Sequence, residues 1–321
     1  MRKIAVFAAA AVLALAVLPC VGDPFVWWSG LWRPETREIL LYFRLPRVLF
    51  AFVVGAALSV AGAAFQALFR NPLATPYTLG ISSGAGFGAA LAIHAGIASP
   101  VSWLPATSVL AFAGAVSTVA LVYGFTRIRG GLHITTLLLA GVAINFFFSA
   151  LVLLLQYLSD FTQTHRMLSW LMGNLDIYGY REILVALIPA AAGIAFVWLI
   201  ALELDMLVCG EELAGARGVA TGAVKLAIFR FTSLLVGAVV AVSGPIGFVG
   251  LIVPHMARLL VGPRHSLLIP ASILLGAAFL ACADTVARVI IYPAQIPVGV
   301  ITALLGGPFF LWLLLRREYH F

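Results

Sequence analysis

The chain has 321 residues; 63% are hydrophobic, only 10% are charged, and 19 Lys and Arg stand against 12 Asp and Glu. A soluble domain carries about 25% charged residues, so a water-soluble fold is excluded. The net charge of +7 fits basic residues flanking membrane spans better than nucleic-acid binding. The expected class is an all-α polytopic membrane protein, a single transmembrane domain over 1–321.

At the N-terminus, Met1-Arg2-Lys3 leads into the apolar run Ile4 to Leu18 and then Cys20. This has the outline of a signal peptide, but Pro19 stands where a small residue is wanted, so an uncleaved first span over 4–22 is expected. A second span is expected over 46–68. It is followed by Phe69-Arg70-Asn71-Pro72 and then Pro76, which keep the connection from becoming helix. Within the third span, 78–98, Gly84 to Ala89 spells G-x-G-x-x-A. A dinucleotide turn needs a strand before it and a βαβ unit around it; here apolar helices lie on both sides, so a nucleotide site is rejected. Gly80, Gly84 and Gly88 are spaced by four, a pattern that lets membrane helices approach closely. Ser82 and Ser83 enter the span together. The segment reads either as a turn with a tight helix contact or as the inner end of a solute pathway.

Further spans are expected over 104–126, 134–157 and 181–202. Glu203 to Lys225 forms the longest loop, acidic early and basic late, as suits a short helix dipole. It is either a solvated loop or a docking helix for a partner. The remaining spans are 226–244, 246–262, 267–287 and 297–315, ten in all. Asp284 lies inside the ninth, with Arg288 at i+4, the favourable order for a carboxylate and a cation. Arg258, in the eighth, is a candidate further partner. Charge at membrane depth marks a paired structural contact or a relay. Cys20, Cys209 and Cys282 have neither disulfide-framework nor metal-ligand spacing. No G-x-x-x-x-G-K-[ST] run occurs, so the chain is expected to bind no ATP itself.

With the N-terminus inside, eleven Lys and Arg fall on the inner side, among them Arg70, Arg129, Lys225, Arg316 and Arg317. Seven fall outside: Arg33, Arg37, Arg44, Arg47, Arg166, Arg181 and Arg288. The outer number exceeds what the positive-inside rule expects. A faint repeat accompanies this topology: Val54-Gly55-Ala56, Val60, Gly62, Pro72 and Gly80 recur 182 residues later as Val236-Gly237-Ala238, Val242, Gly244, Pro254 and Gly262. The two copies start on spans of opposite direction, the pattern of an inverted-topology repeat.

Several blocks carry a family resemblance. They are Arg44-Leu45-Pro46-Arg47; Gln66 to Ala74 (QALFRNPLA) with Leu79-Gly80 and Gly84-Ala85-Gly86; Leu137 to Val142 (LLLAGV); Gly244 to His255 (GPIGFVGLIVPH); and Ile296-Pro297-Val298-Gly299 with Thr302-Ala303 and Gly306. From about residue 38 onward the chain resembles the FecCD-type permeases, the membrane subunits of ABC importers for vitamin B12, ferric siderophores and haem. The resemblance implies ten spans of the type II importer kind and a homodimer with the pathway between the copies. It implies two cytoplasmic ATPase subunits that hold ATP and Mg, and a substrate-binding protein outside, in the bacterial cytoplasmic membrane with both termini cytoplasmic. This chain would be no enzyme and would hold no cofactor or metal.

By the same resemblance, Arg44, Arg47 and Arg288 meet acidic residues of the binding protein, which accounts for the surplus of outer arginines. Gly210, Glu211, Glu212, Ala214, Arg217, Gly218 and Val219 match the element that docks in the ATPase groove, although the family commonly has Leu at the position of Arg217. Ser82, Ser83, Thr135 and Thr136 stand at the inner gate, Ser83 where the B12 protein has Asn. The rival from another class is a secondary transporter driven by an ion gradient, with Asp284 as its coupling carboxylate. A membrane-embedded enzyme lacks any catalytic constellation in the sequence.

Overall fold

Each apolar run of the sequence becomes helix in the structure, a computed structural model that describes residues 2–99, 104–128, 134–291 and 293–315. Arg129, Arg316 and Arg317, assigned above to the inner side, lie outside the described residues. Among the described residues, seven helices are long and apolar enough to cross a bilayer, and three shorter apolar helices, Ile81–His94, Val249–Val261 and Val298–Leu313, bring the total to the ten expected.

The first helix is α1 (Arg2–Val17). Then α2 (Pro34–Glu38) runs through a π turn at Ile39–Arg44 into α3 (Leu45–Phe69), so the second span starts well before residue 46. Pro46 is the reason the ladder widens there. It has no N–H to donate, and its ring would crowd the carbonyl one turn back in a regular α-helix. The central helix is α3, buried along most of its length and packed on both sides. Gly62 lets it touch the backbone of α12 at Gly250, and Gly55 does the same toward Gly276 of α13.

The third span is shorter than 78–98. Pro76–Leu79 forms a 3-10 turn, Gly80 takes a left-handed φ of +74°, and only then does α4 (Ile81–His94) begin. Its 14 residues rise about 21 Å, less than the roughly 30 Å of a hydrocarbon core. Gly84 and Gly88 face α5 (Ala106–Ile128), where a methyl on either would overlap the carbonyl of Gly114 or Leu110. Gly80 does not share that helix face; it sits before the helix and abuts the backbone of Gly141 and Asn145 in α6 (Ile134–Leu158).

No span is expected between 157 and 181, and the structure places there the shorter helix α7 (Phe161–Leu171). The Asp160 carboxylate caps this helix, accepting the Gln163 N–H at 2.8 Å. Met167 buries against Ala90 and Val152, so α7 packs on α4 and α6. Next come α8 (Arg181–Leu199), α9 (Ala201–Cys209), α10 (Glu211–Ala216) and α11 (Thr221–Ser243). The chain ends in α12 (Val249–Val261), α13 (His265–Val289) and α14 (Val298–Leu315).

The two helices related by the repeat, α3 and α11, pack together and run antiparallel. Glu211 ties the end of α3 at Arg70 to the start of α11 at Lys225. At the other end, Ser243 accepts the Asn174 N–H, close to Asp176, which reaches Arg47 at the start of α3. The molecule therefore has two charged ends, one marked by Arg47 and one by Glu211.

Candidate functional site

At the Arg47 end, the start of α3 lies beside the end of α13, and this brings Arg47 onto Asp284. Arg47 Nε donates to Asp284 Oδ2 at 2.9 Å and Nη2 donates to Oδ1 at 3.0 Å, a two-pronged pair. The remaining nitrogen, Nη1, donates to Gln295 Oε1 at 2.7 Å and to Asp176 Oδ1 at 3.2 Å. Arg288 approaches the same carboxylate from one turn on, Nε to Oδ2 at 3.3 Å, and its Nη2 donates to Thr285 Oγ1. The side chains of Arg47 and Asp284 are only 5% and 1% exposed. A planar guanidinium meeting a carboxylate with two parallel bonds is a strong, orientation-specific contact. Here it fastens α3 to α13.

Arg44 is anchored separately. It projects from the π turn and donates to the backbone carbonyls of Cys20 and Pro24, at 3.3 and 2.8 Å. The three arginines expected on the outer face are thus mostly enclosed and internally bonded. All three still line one crevice of about 290 Å³, together with Asp23, Asp176 and Gln295. They are presented at the floor of a cleft rather than as projecting side chains. Arg258 does not join them. It lies toward the other end of the molecule and donates to Gln66 Oε1 at 3.0 Å, so the expected contact with Asp284 is not made. The two partners of Asp284 are Arg47 and Arg288.

At the opposite end, Gly210 opens α10 with a φ of +126° and Gly218 closes it at +86°, conformations that suit glycine. Glu211 receives Lys225 Nζ at 2.6 Å and lies 3.7 Å from Arg70. Ala214 points inward and is fully buried, and Val219 folds back so that its N–H meets the Ala214 carbonyl. Glu212, Arg217 and Gly218 are exposed. The residues matched to ATPase docking therefore divide into an inward anchor and an outward rim. Beside them, the Asp205 carboxylate accepts both the backbone N–H and the ring Nδ1 of His265, at 2.9 and 2.6 Å. Burial works against the Asp205 charge, but these bonds and the nearby Arg264 outweigh it and hold the carboxyl below its ordinary range.

The four hydroxyls matched to a gate fall in two places. Ser83 donates to Gly80 O at 2.9 Å, and Ser82 is half-buried at the head of α4. Thr136 borders an apolar cavity between α5 and α6, and Thr135 is exposed. In one copy of the chain, Ser82 and Ser83 stand at the head of α4 and Thr135 and Thr136 at the start of α6.

The family model described as the FecCD transport family matches residues 6–316. The chain belongs to the FecCD transport family. Among its relatives, the hemin transport system permease protein HmuU of Yersinia pestis is 43% identical, over 90% of this chain and 87% of its own length. The ABC transporter permease protein YvrB of Bacillus subtilis is 42% identical over 89% and 81%. The vitamin B12 import system permease protein BtuC of Escherichia coli is 37% identical over 95% and 92%. A solved structure described as an inward-facing conformation of a metal-chelate type ABC transporter superposes with a TM-score of 0.89. It is 32% identical, and the match covers 98% of this chain and 99% of that one. Family membership and the apolar helices together make the chain a multi-pass membrane protein.

Some contacts of this FecCD chain were not read from the sequence. Asp176, Gln295 and the Asp205–His265 pair come from segments far apart in the chain, and no spacing rule joins them. Asp284–Arg288 was legible because both lie on one helix, at i and i+4.

Proposed function

We propose that this chain is the permease subunit of a binding-protein-dependent ABC importer for a metal chelate: a ferric siderophore, cobalamin or haem. It acts as a homodimer, with the pathway between the two copies. ATP and Mg are held by two partner ATPase subunits, and this chain is neither an enzyme nor the holder of a cofactor or metal. The setting is the bacterial cytoplasmic membrane, with both termini on the cytoplasmic side.

The observation that carries this reading is the presence of two unlike charged surfaces at opposite ends of one FecCD chain. The crevice at one end is floored by Arg44, Arg47 and Arg288. It is shaped to accept a carboxylate side chain from a partner, and charge pairs of this kind set register and association rate. At the other end, α10 is a short, glycine-bounded helix with an outward rim of Glu212, Arg217 and Gly218. That form suits insertion into a groove of an ATPase. The substrate class follows the relatives named for hemin and vitamin B12. Alternating access then requires that ATP and the loaded binding protein favour different states, since a ligand shifts such an equilibrium only by its differential affinity.

The rival reading, an ion-gradient carrier coupled through Asp284, sits poorly with the geometry. Both oxygens of Asp284 are committed to guanidiniums, so it is not offered to a coupling ion.

The test is ATP hydrolysis in lipid vesicles by this chain co-expressed with ATPase and binding-protein subunits encoded beside it. Copurification and a hydrolysis rate that responds to the binding protein are expected. Solute movement by the chain alone on a proton or sodium gradient, lost in Asp284→Asn, overturns the reading.

A further inference from the structure

The first spanning helix is short for a bilayer. Lys3 fixes one end of α1, its Nζ donating to Leu260 O near the end of α12. From there the apolar run 4–17 rises about 21 Å, and the 3-10 turn Leu18–Cys20 adds about 6 Å. The hydrocarbon core needs roughly 30 Å. The chain therefore reaches headgroup level only after Cys20, and residues 21–32 lie at that level.

The segment that follows turns back toward the helix. Trp28 Nε1 donates to Ala16 O at 2.7 Å, a carbonyl in the last turn of α1, where intrahelical donors run out. The Cys20 thiol is a weaker second donor at 3.8 Å. In lipid such a carbonyl has no water to turn to. The loop itself is tied down. Val26 is buried and its N–H donates to Cys20 O at 3.1 Å, and the Thr36 hydroxyl donates to Gly30 O. Three large rings nevertheless stand exposed on it. Phe25 and Trp27 stack with centroids 6.3 Å apart, and Trp32 is 90% exposed. Charge comes only after the rings, with Arg33 and Arg37 balanced by Glu35 and Glu38. Asp23, before them, lines the arginine crevice.

We infer that Phe25, Trp27 and Trp32 form a lipid-anchoring face, seated between headgroups and acyl chains of the leaflet at the Arg47 end, and complete the span that α1 leaves short. Trp suits that depth because its ring is apolar and its N–H polar. Among the spanning helices α1 packs chiefly on α13 and is otherwise open to lipid, so a ring-bearing loop bonded to its end continues a lipid-facing surface. With its charges balanced, the face takes phospholipid of either headgroup charge. The inference rests on membrane embedding alone and stands apart from the transport reading.

The experiment uses the full chain in phospholipid vesicles and reads tryptophan emission. Subtracting the variant Trp27→Phe with Trp32→Phe from the wild type isolates those two indoles, since Phe keeps an apolar ring and removes the emission. The probes are phosphatidylcholine spin-labelled near the glycerol, the same lipid labelled near the chain end, and aqueous iodide. The difference emission should lose most of its intensity to the shallow label and little to the deep label or to iodide, alike in phosphatidylcholine and phosphatidylglycerol vesicles. Trp28→Phe keeps the ring and removes the N–H, so its melting midpoint in the same vesicles should fall, while that of the double variant stays at the wild-type value.

Iodide quenching as strong as that by the shallow label places the rings in water and overturns the inference. Stronger quenching by the deep label overturns the interfacial seat. Lipid quenching confined to phosphatidylglycerol vesicles means headgroups held by Arg33 and Arg37 and overturns the aromatic face. Iodide access that is closed by adding the binding-protein subunit marks a protein-docking surface and overturns the lipid assignment. A Trp28→Phe variant that melts with the wild type overturns the role of that indole at the end of α1.

Discussion

The two charged ends use similar side chains to different effect. At the Arg47 end, two arginines close on Asp284, whose side chain is 1% exposed. At the Glu211 end, an arginine and a lysine close on Glu211, which is 35% exposed. Out of water, a charge cannot be left alone, so the first cluster behaves as a fixture between α3 and α13. The second, half-open to water through Arg70 and Glu211, is partly screened and freer to exchange partners. A surface meant to engage and release a partner is better served by the second kind. A cleft that must present arginines in a fixed array is better served by the first.

The sharpest way to break this comparison is Asp284→Ala. It leaves Arg47 and Arg288 enclosed without their carboxylate, a loss of about 3–5 kcal/mol, read as a lowered midpoint in thermal unfolding of the purified protein. Replacing Arg47, Asp284 and Arg288 together with Met, Leu and Met should restore most of that stability while abolishing binding-protein capture. A triple variant that stays as unstable as Asp284→Ala would mean that the cluster is not the fixture described.

Next in size is Gly62→Ala, which pushes a methyl into the Gly250 backbone. Overpacking of this kind costs about 1–3 kcal/mol. The same thermal midpoint reads it, and Gly215→Ala, where the added carbon meets nothing within 4 Å, is the contrasting control.

Asp205 gives the pH arm of the comparison. Its carboxyl is held below the ordinary range, so its contribution is complete above the unfolded value near 3.9 and fades as pH falls through the lower folded value. Asp205→Asn should lower stability by about 1–2 kcal/mol at neutral pH, and should flatten that part of the acid dependence. An unchanged acid limb would show that Asp205 is not responsible for it. The smallest effect belongs to Glu211→Gln. A half-buried pair at the protein surface contributes about 1 kcal/mol, so the thermal midpoint should move little, while the salt dependence of ATPase-subunit binding should weaken.

Much of this architecture was legible in the sequence because hydropathy is local. Ten apolar runs became ten apolar helices, and the small residues Gly84 and Gly88 marked the α4–α5 contact. What escaped was non-local or conformational. Gly80 has the right spacing to join that glycine row, but the prolines and the left-handed turn before α4 place it elsewhere. The amphipathic helix α7 carries too little continuous apolar sequence to register as a span; the Asp160 cap with Gln163 three residues on was its one signal. In the site, the i,i+4 pair Asp284–Arg288 could be read from spacing. The dominant contact, Arg47 with Asp284, joins residues 237 positions apart and depends on two helices lying side by side. The seclusion of the three arginines follows from that packing and from the turn at 20–24, neither of which has a sequence signature.

The π turn at Ile39–Arg44 carries one more residue than the α turn it replaces. One residue of helix corresponds to a rotation of about 100°. The turn therefore acts as an indexing notch, setting the angular position of Pro34–Glu38 against the shaft of α3. Deleting a single residue there would press the Pro46 ring toward the carbonyl one turn back and swing Arg33 and Arg37 to a different compass bearing. It would also carry Arg44 away from the Cys20 and Pro24 carbonyls. In this chain, length in that one stretch is an angular coordinate, and insertions or deletions tolerated in an ordinary loop would there re-aim a whole face.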